Sequence, residues 1–233
     1  ILPPMIKVIS LGGSIVAPDA VDAEYLRGLR LLVRDYLRED SSRKLILVVG
    51  GGGPARRYQA AYRQIADHPD NDVQDWIGIA ATRLNGELLR GIFADECRRP
   101  LVTDPTAEGG FPGRVMIAAG WKPGFSSDFD AVLLAEKFGA DTVINLSNIS
   151  KVFTADPKLD PSAKPIDAID WAGFRKIVGE EWAPGKNLPF DPVATRRAQE
   201  LGLKVIVAAG KDLANMRALL TGGSFVGTAI GPD

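Results

Sequence analysis

Three glycine-marked strand exits, in fixed order along the chain, constrain this sequence more than any other feature. They are Leu11-Gly12-Gly13-Ser14, Val49-Gly50-Gly51-Gly52-Gly53, and Ala119-Gly120-Trp121-Lys122-Pro123-Gly124 running into Ser126-Ser127-Asp128. Each follows an apolar, β-branched run and precedes a stretch with helical spacing. Glycine lacks a Cβ, so a ligand or another backbone can approach closely and φ can turn positive. Amides exposed where a loop enters a helix form a site for anions, phosphate above all. Parallel strands would bring the three exits to one edge, where open α/β sheets place their ligands. Room for several phosphates points to transfer of one between them.

The elements between the exits alternate. Strands are expected at 6–11, 44–49, 101–103, 114–119, 142–146, 204–208 and 225–230. Helices are expected at 22–38, 54–66, 73–95, 127–138, 171–177, 191–201 and 213–220, from apolar spacing and from Asp, Ser and Pro at their starts. Residues 151–167 read as irregular or hairpin-like, and 180–189 as a loop. This alternation predicts an α/β fold, a three-layer α/β/α sandwich around a mostly parallel sheet. At 233 residues the chain suits one large domain or one and a half, with a sizeable core.

Composition narrows the chemistry. A net charge of −1 gives no reason to expect a nucleic-acid or membrane partner, and no apolar run has transmembrane length. The single cysteine, Cys97, rules out an internal disulfide framework and fits a reducing cytoplasm. His68 is the only histidine, which removes His-based triads and His-rich metal sites. Catalysis is left to Asp, Lys, Arg, backbone amides and a bound Mg²⁺.

The motif series carries a resemblance. GGS, GGGGPARRY, QDWIGIAATRLNGELL, AGWKPGFSSDFDAVLLAEKFGAD, NISKVFTADPKLDPSAKPI, FDPVATRRAQELGLKVIV and a terminal GTAI, in this order over nearly the whole chain, resemble the amino-acid kinase superfamily. Within it the chain is similar to the archaeal-type uridylate (UMP) kinase branch. The resemblance implies transfer of phosphate from MgATP to UMP, on a sandwich built around a sheet of about eight strands. It implies an acceptor-binding part over about 5–125 and an ATP-binding part over about 126–233. It also implies a homo-oligomer, dimer-based and extending to a hexamer.

The same resemblance assigns residues. Gly12, Gly13 and Ser14 match a loop whose amides hold ATP phosphates. Gly51, Gly52 and Arg56 match the loop that meets the acceptor phosphate; a guanidinium is always charged and matches phosphate oxygens in pairs. Asp75 matches the carboxylate that accepts from the ribose hydroxyls of UMP, and reads equally as an acid near a helix N-terminus. Thr82, Arg83 and Asn85 mark either an interface or a substrate-side face. Gly120, Trp121, Ser126 and Ser127 match the loop around UMP, with Trp121 either stacking on the base or closing the pocket. Ser147, Asn148, Phe153 and Asp156 match the ATP-side stretch, with core packing as the other reading of Phe153. Asp128 and Asp191 match acids near the transferring group; helix capping is the alternative, and for Asp191 the two roles are compatible.

Two positions depart from the pattern. A lysine that often precedes the first glycine pair is replaced by Ser10. The usual N-x-D-G appears as Asn148-Ile149-Ser150-Lys151. Loss of one preorganised positive group would cost roughly 10²–10³ in rate by analogy with deletion of one such donor. Lys151 is therefore expected to reach the β- or γ-phosphate, a solvated surface lysine being its other reading, with Lys122 and Lys186 as the other sources of charge. Two rival readings stand beside the UMP kinase: a kinase of another small acceptor, and a non-catalytic nucleotide- or oxoanion-binding protein.

Overall fold

A computed structural model of the chain describes residues 5–179 and 188–231. Its elements in order are β1 (Met5–Leu11), α1 (Gly13–Val16), α2 (Ala23–Glu39), β2 (Arg43–Val49), α3 (Gly52–Ile65), α4 (Asn71–Ile92), β3 (Val115–Ala119), α5 (Ser127–Phe138), β4 (Thr142–Ser147), β5 (Val152–Phe153), β6 (Pro165–Ile166), β7 (Ala168–Ile169), α6 (Trp171–Val178), α7 (Pro192–Glu200), β8 (Lys204–Ala209), α8 (Leu213–Thr221) and β9 (Thr228–Ile230). Seven strands form one sheet in the order β3-β2-β1-β4-β8-β9-β7, and β5 and β6 pair separately. The five strands from β3 to β8 are mutually parallel; β9 runs antiparallel to β8, and β7 parallel to β9.

Strand periodicity explains the three layers. In β2, Leu45, Leu47 and Val49 face one way, and Ile46 and Val48 the other. The first set packs under α2, α4 and α8; the second under α5, α6 and α7. Both faces of the central strands are covered, so these strands are apolar nearly throughout. Helix ends follow local chemistry. Asp22 caps α2 by accepting the Tyr25 amide at 2.9 Å. Ser126 caps α5, which ends on Gly139 at φ 68°, a conformation that favours glycine.

Three expected elements differ. The strand at 101–103 shrinks to a single parallel bridge, Val102 to Ala118, so the sheet has seven strands where the resemblance implied about eight. Pro100 at its start lacks an amide donor, and Asp104-Pro105 ends the run. The closing strand is Thr228–Ile230 only, because Phe225 and Val226 remain exposed. Ala168–Ile169 had no strand signal in so short a run; β9 alongside supplies it. The 151–167 stretch contains the β5–β6 hairpin. Most of the 180–189 loop, with Lys186, lies outside the described residues.

Candidate active site

The parallel strands deliver the first two exits side by side. Leu11 pairs with Val49 at the ends of β1 and β2, and Val49 with Ala119 at the end of β3. The Gly12 amide donates to Leu146 O at 2.8 Å, and the Gly50 amide to Leu11 O at 3.0 Å. The first and second loops then press backbone on backbone. A Cβ on Gly13 would lie 2.2 Å from the Gly52 nitrogen, and one on Gly53 would lie 1.9 Å from Pro18 O. Gly52 itself sits at φ 64°. The glycine run is thus required by loop-on-loop contact as well as by any ligand. On the far side, Lys211 straps the first loop, donating to Ile15 O at 3.0 Å and pairing with Asp22 at 2.5 Å.

A cleft of about 150 Å³ opens between α3, α4 and the third loop, lined by Gly51, Asp75, Gly120, Phe125, Ser126 and Ser127 among others. Five of the residues expected around the acceptor therefore share one cavity. Gly52 faces the first loop instead. Arg56 donates to Ser14 Oγ at 2.7 Å and to Pro18 O at 3.3 Å, so its guanidinium bridges the first two loops. Asp75 accepts the Gly124 amide at 2.9 Å, and burial raises its carboxyl above the ordinary value. Trp121 stacks on Phe125 with ring centres 5.1 Å apart, and Phe125, not Trp121, lines the cleft. Lys122 Nζ lies 3.9 Å from the centre of the Trp121 ring.

Helix α4 supplies the substrate-side face. Asp75, Gly78, Ile79 and Thr82 line the cleft at helical spacing. Thr82 Oγ1 accepts the Gly120 amide at 2.9 Å. Arg83 donates to Gly120 O at 3.2 Å and to Trp121 O at 2.9 Å. Asn85 donates to Gly50 O at 2.9 Å. These side chains fix the backbone of the second and third exits. Sequence reading left them undecided; the repeat 75, 78, 79, 82 was the available signal. It missed Gln59, one turn beyond Ala55 on α3, and Phe125.

Two acids meet behind the loops. Ser10, on the α5 side of β1, donates to Asp128 Oδ1 at 2.7 Å. The Asp191 amide donates to Asp128 Oδ2 at 3.3 Å, and Asn145 stands 3.5 Å from Oδ1. Asp191 caps α7 through the Ala194 amide at 2.7 Å, while its Oδ2 is buried without a hydrogen-bond partner among the described residues. Although part of Asp128 meets solvent, burial raises its carboxyl to about 6, opposed by the Ser10 hydroxyl and assisted by Asp191. Burial likewise raises Asp191, against the Ala194 and Val193 amides and the Ser126 hydroxyl. Ser10 thus occupies its position as a neutral partner of Asp128.

The ATP-side residues are spread over β4 and the hairpin. Ser147 ends β4, and its carbonyl accepts the Gly210 amide at 2.8 Å. A Cβ on Gly12 would meet Ser147 Cα at 3.6 Å, so Ser147 adjoins the first loop. Asn148 is exposed; Phe153 is half-buried opposite Pro165. Asp156 organises a turn by accepting the Lys158 amide at 2.9 Å. Lys151 is ion-paired with Asp167, so the partner the structure gives this lysine is a carboxylate.

Asp130 was not singled out by the sequence. It is 1% exposed on α5, and burial pushes its carboxyl to about 7 against the opposing Trp121 amide. Between pH 4 and 7 the unfolded chain releases this proton and the folded chain keeps it, so stability falls as pH rises across that window. Asp130→Asn is therefore expected to raise Tm by about 5 °C at pH 8 and by much less at pH 5. Calorimetry at the two pH values checks this; an equal change at both would contradict it.

The fold and this edge define a class. The Amino acid kinase family pattern matches residues 5–209, and the chain belongs to that family. Among named relatives, a uridylate kinase of Methanospirillum hungatei is 34% identical over 226 residues, covering 96% of this chain and 93% of the relative. One of Methanocorpusculum labreanum is 35% identical over 228 residues, covering 96% and 94%. The crystal structure of uridylate kinase from Archaeoglobus fulgidus superposes with a TM-score of 0.82 at 31% identity, covering 97% of this chain and all of that one.

Proposed function

We propose that the protein is a UMP kinase, transferring the γ-phosphate of MgATP to UMP to give UDP. The observation that carries this reading is convergence. Two glycine loops in backbone contact, a cleft beside the second and third exits, and the Asp128–Asp191 pair of acids lie at one sheet edge. The similarity to uridylate kinases over nearly the whole chain names the acceptor. Apart from the first glycine loop, which serves ATP, residues of about 5–125 hold UMP; those of about 126–233 hold ATP, apart from Ser126 and Ser127 at the end of the third loop.

In this reading Gly12, Gly13 and Ser14 hold ATP phosphates, and Ser147, Asn148, Phe153 and Asp156 flank the nucleoside. Gly51, Gly52 and Arg56 hold the phosphate of UMP; Asp75, Gly120, Trp121, Ser126 and Ser127 form or shape its cleft. A phosphate oxygen of UMP is already ionised, so no general base is required, and catalysis is positioning plus charge stabilisation. Mg²⁺ usually keeps phosphate and water ligands and takes one or two carboxylates. The buried Oδ2 of Asp191, which has no partner among the described residues, fits that demand, and Asp191 would hold the ion. When bound, it would neutralise charge on the transferring group. Asp128 orients Asp191 through its amide, and Ser10 orients Asp128. Lys151 is retained as a source of positive charge only if ATP draws it from Asp167. The cytoplasm is the proposed location; among the described residues no helix is long and apolar enough to cross a membrane.

Arg56→Ala tests the acceptor side. It is expected to raise KM for UMP by roughly tenfold or more with little change in kcat, because it removes binding common to ground and transition states. An unchanged KM would remove Arg56 from the site.

We also propose a dimer built on α3 and α4. Tyr58 and Ile65 on α3, and Val73, Trp76 and Leu84 on α4, are exposed, Leu84 by 68%. An apolar row of this kind marks an association surface. Sedimentation at micromolar concentration is expected to give at least a dimeric mass, and Leu84→Glu to lower it. A monomeric parent protein would contradict this.

A further inference from the structure

The exit of β3 is held at every polar backbone atom of two residues. The Gly120 amide donates to Thr82 Oγ1, and Gly120 O accepts from Arg83. Trp121 O accepts from the same guanidinium, and the Trp121 amide donates to Asp130 Oδ2 at 3.2 Å. Three of these contacts come from α4, on one side of the loop. Asp130 alone reaches it from α5. Its second oxygen is buried without a partner among the described residues, a costly arrangement in an otherwise apolar stretch of helix. A buried acid so placed weakens the fold; its contact with the third loop is what it offers in return.

That contact leads to the cleft. The Trp121 ring lies against Phe125, and Phe125 against Phe129, with centres 5.1 and 4.9 Å apart. Phe125 forms part of the cleft wall. The backbone that Asp130 holds therefore carries the ring that backs this wall.

We propose that Asp130 is a positioning residue for the acceptor cleft, setting the wall formed by Phe125 through the Trp121 amide and the Trp121–Phe125 ring contact. This rests on the assignment of the cleft to the acceptor. Release of the Trp121 amide would free the ring pair to shift. The loss would then appear in acceptor binding, not in ATP binding, since the hydrogen bonds that hold this exit come from α4 and α5 and not from the first loop.

The test compares Asp130→Val, which fits an apolar helix face, with Asp130→Asn, which keeps an oxygen for the Trp121 amide. Asp130→Val is expected to raise KM for UMP about tenfold, with kcat within about threefold and KM for ATP unchanged. Asp130→Asn is expected to restore most of that loss. Amide spectra of the ligand-free protein give a readout that does not depend on the substrate: the Trp121 and Phe125 signals are expected to move in Asp130→Val and return towards their parent positions in Asp130→Asn. If the Val variant binds UMP as the parent does while these signals move, the cleft link is wrong. If the signals stay put, the clamp itself is wrong. If the signals behave as expected but the parent does not phosphorylate UMP, the clamp stands and the acceptor assignment fails.

Discussion

Gly13→Ala is expected to destabilise the protein by about 3 kcal/mol or more and to abolish phosphoryl transfer. The added Cβ would lie 2.2 Å from the Gly52 nitrogen and 2.5 Å from the carbonyl carbon and oxygen of Gly50. All three neighbours are backbone, and none can rotate aside. Relief requires the first and second loops to part. The second loop is tied back by Asn85, and the first by its Gly12 amide to Leu146 O and by Lys211, so parting them breaks the sheet edge. A Tm loss of roughly 10 °C follows for a chain of this size. Gly91→Ala is the control. Nothing lies within 4 Å of a Cβ there, within α4, so alanine should leave Tm unchanged or raise it slightly. Thermal unfolding of both variants decides the matter; a Gly13→Ala protein as stable as the parent would show that the loops are not in contact.

Asp191→Asn is expected to lower kcat by roughly 10²–10³ without lowering Tm. The two roles of Asp191 separate here. An asparagine oxygen still accepts the Ala194 amide, so the cap of α7 survives. What disappears is the negative charge on the buried Oδ2, next to Asp128. Asp191→Ala would lose both and is expected to cost about 1 kcal/mol of stability in addition. Steady-state kinetics with calorimetry on the Asn variant checks this. Full activity would reduce Asp191 to a helix cap.

The layout of this edge was legible because its signals are local. Apolar runs ending in glycine mark β1, β2 and β3, and parallel order follows from the intervening helices. Asp22, Ser126 and Asp191 begin helices as their chemistry requires. The purpose of the glycines was only half legible. The sequence shows that Gly50 to Gly53 lack side chains; that Gly53 fits under Pro18 and Gly52 against Gly13 is a contact between loops about forty residues apart. Asp130 was illegible for a related reason. In the run Phe129-Asp130-Ala131-Val132 nothing tells whether one polar residue faces water or an amide of a strand exit. The ion pair of Lys151 with Asp167 depends on the β5–β6 hairpin bringing its two ends together, which the irregular sequence does not specify. The Val102 bridge and the two-residue β7 show the same limit: edge pairing depends on neighbours more than on propensity.

The identity of the acceptor tests the UMP kinase reading most directly. The purified protein should be assayed with MgATP against UMP, CMP, AMP, glutamate and carbamate, with the phosphorylated product identified directly. UMP is expected to be converted to UDP with kcat/KM roughly 10²-fold or more above any other acceptor, because a cleft whose buried polar groups are matched to one base leaves them unpaired with another. Faster phosphorylation of glutamate or carbamate, or binding of ATP with turnover of none of the five, would contradict it.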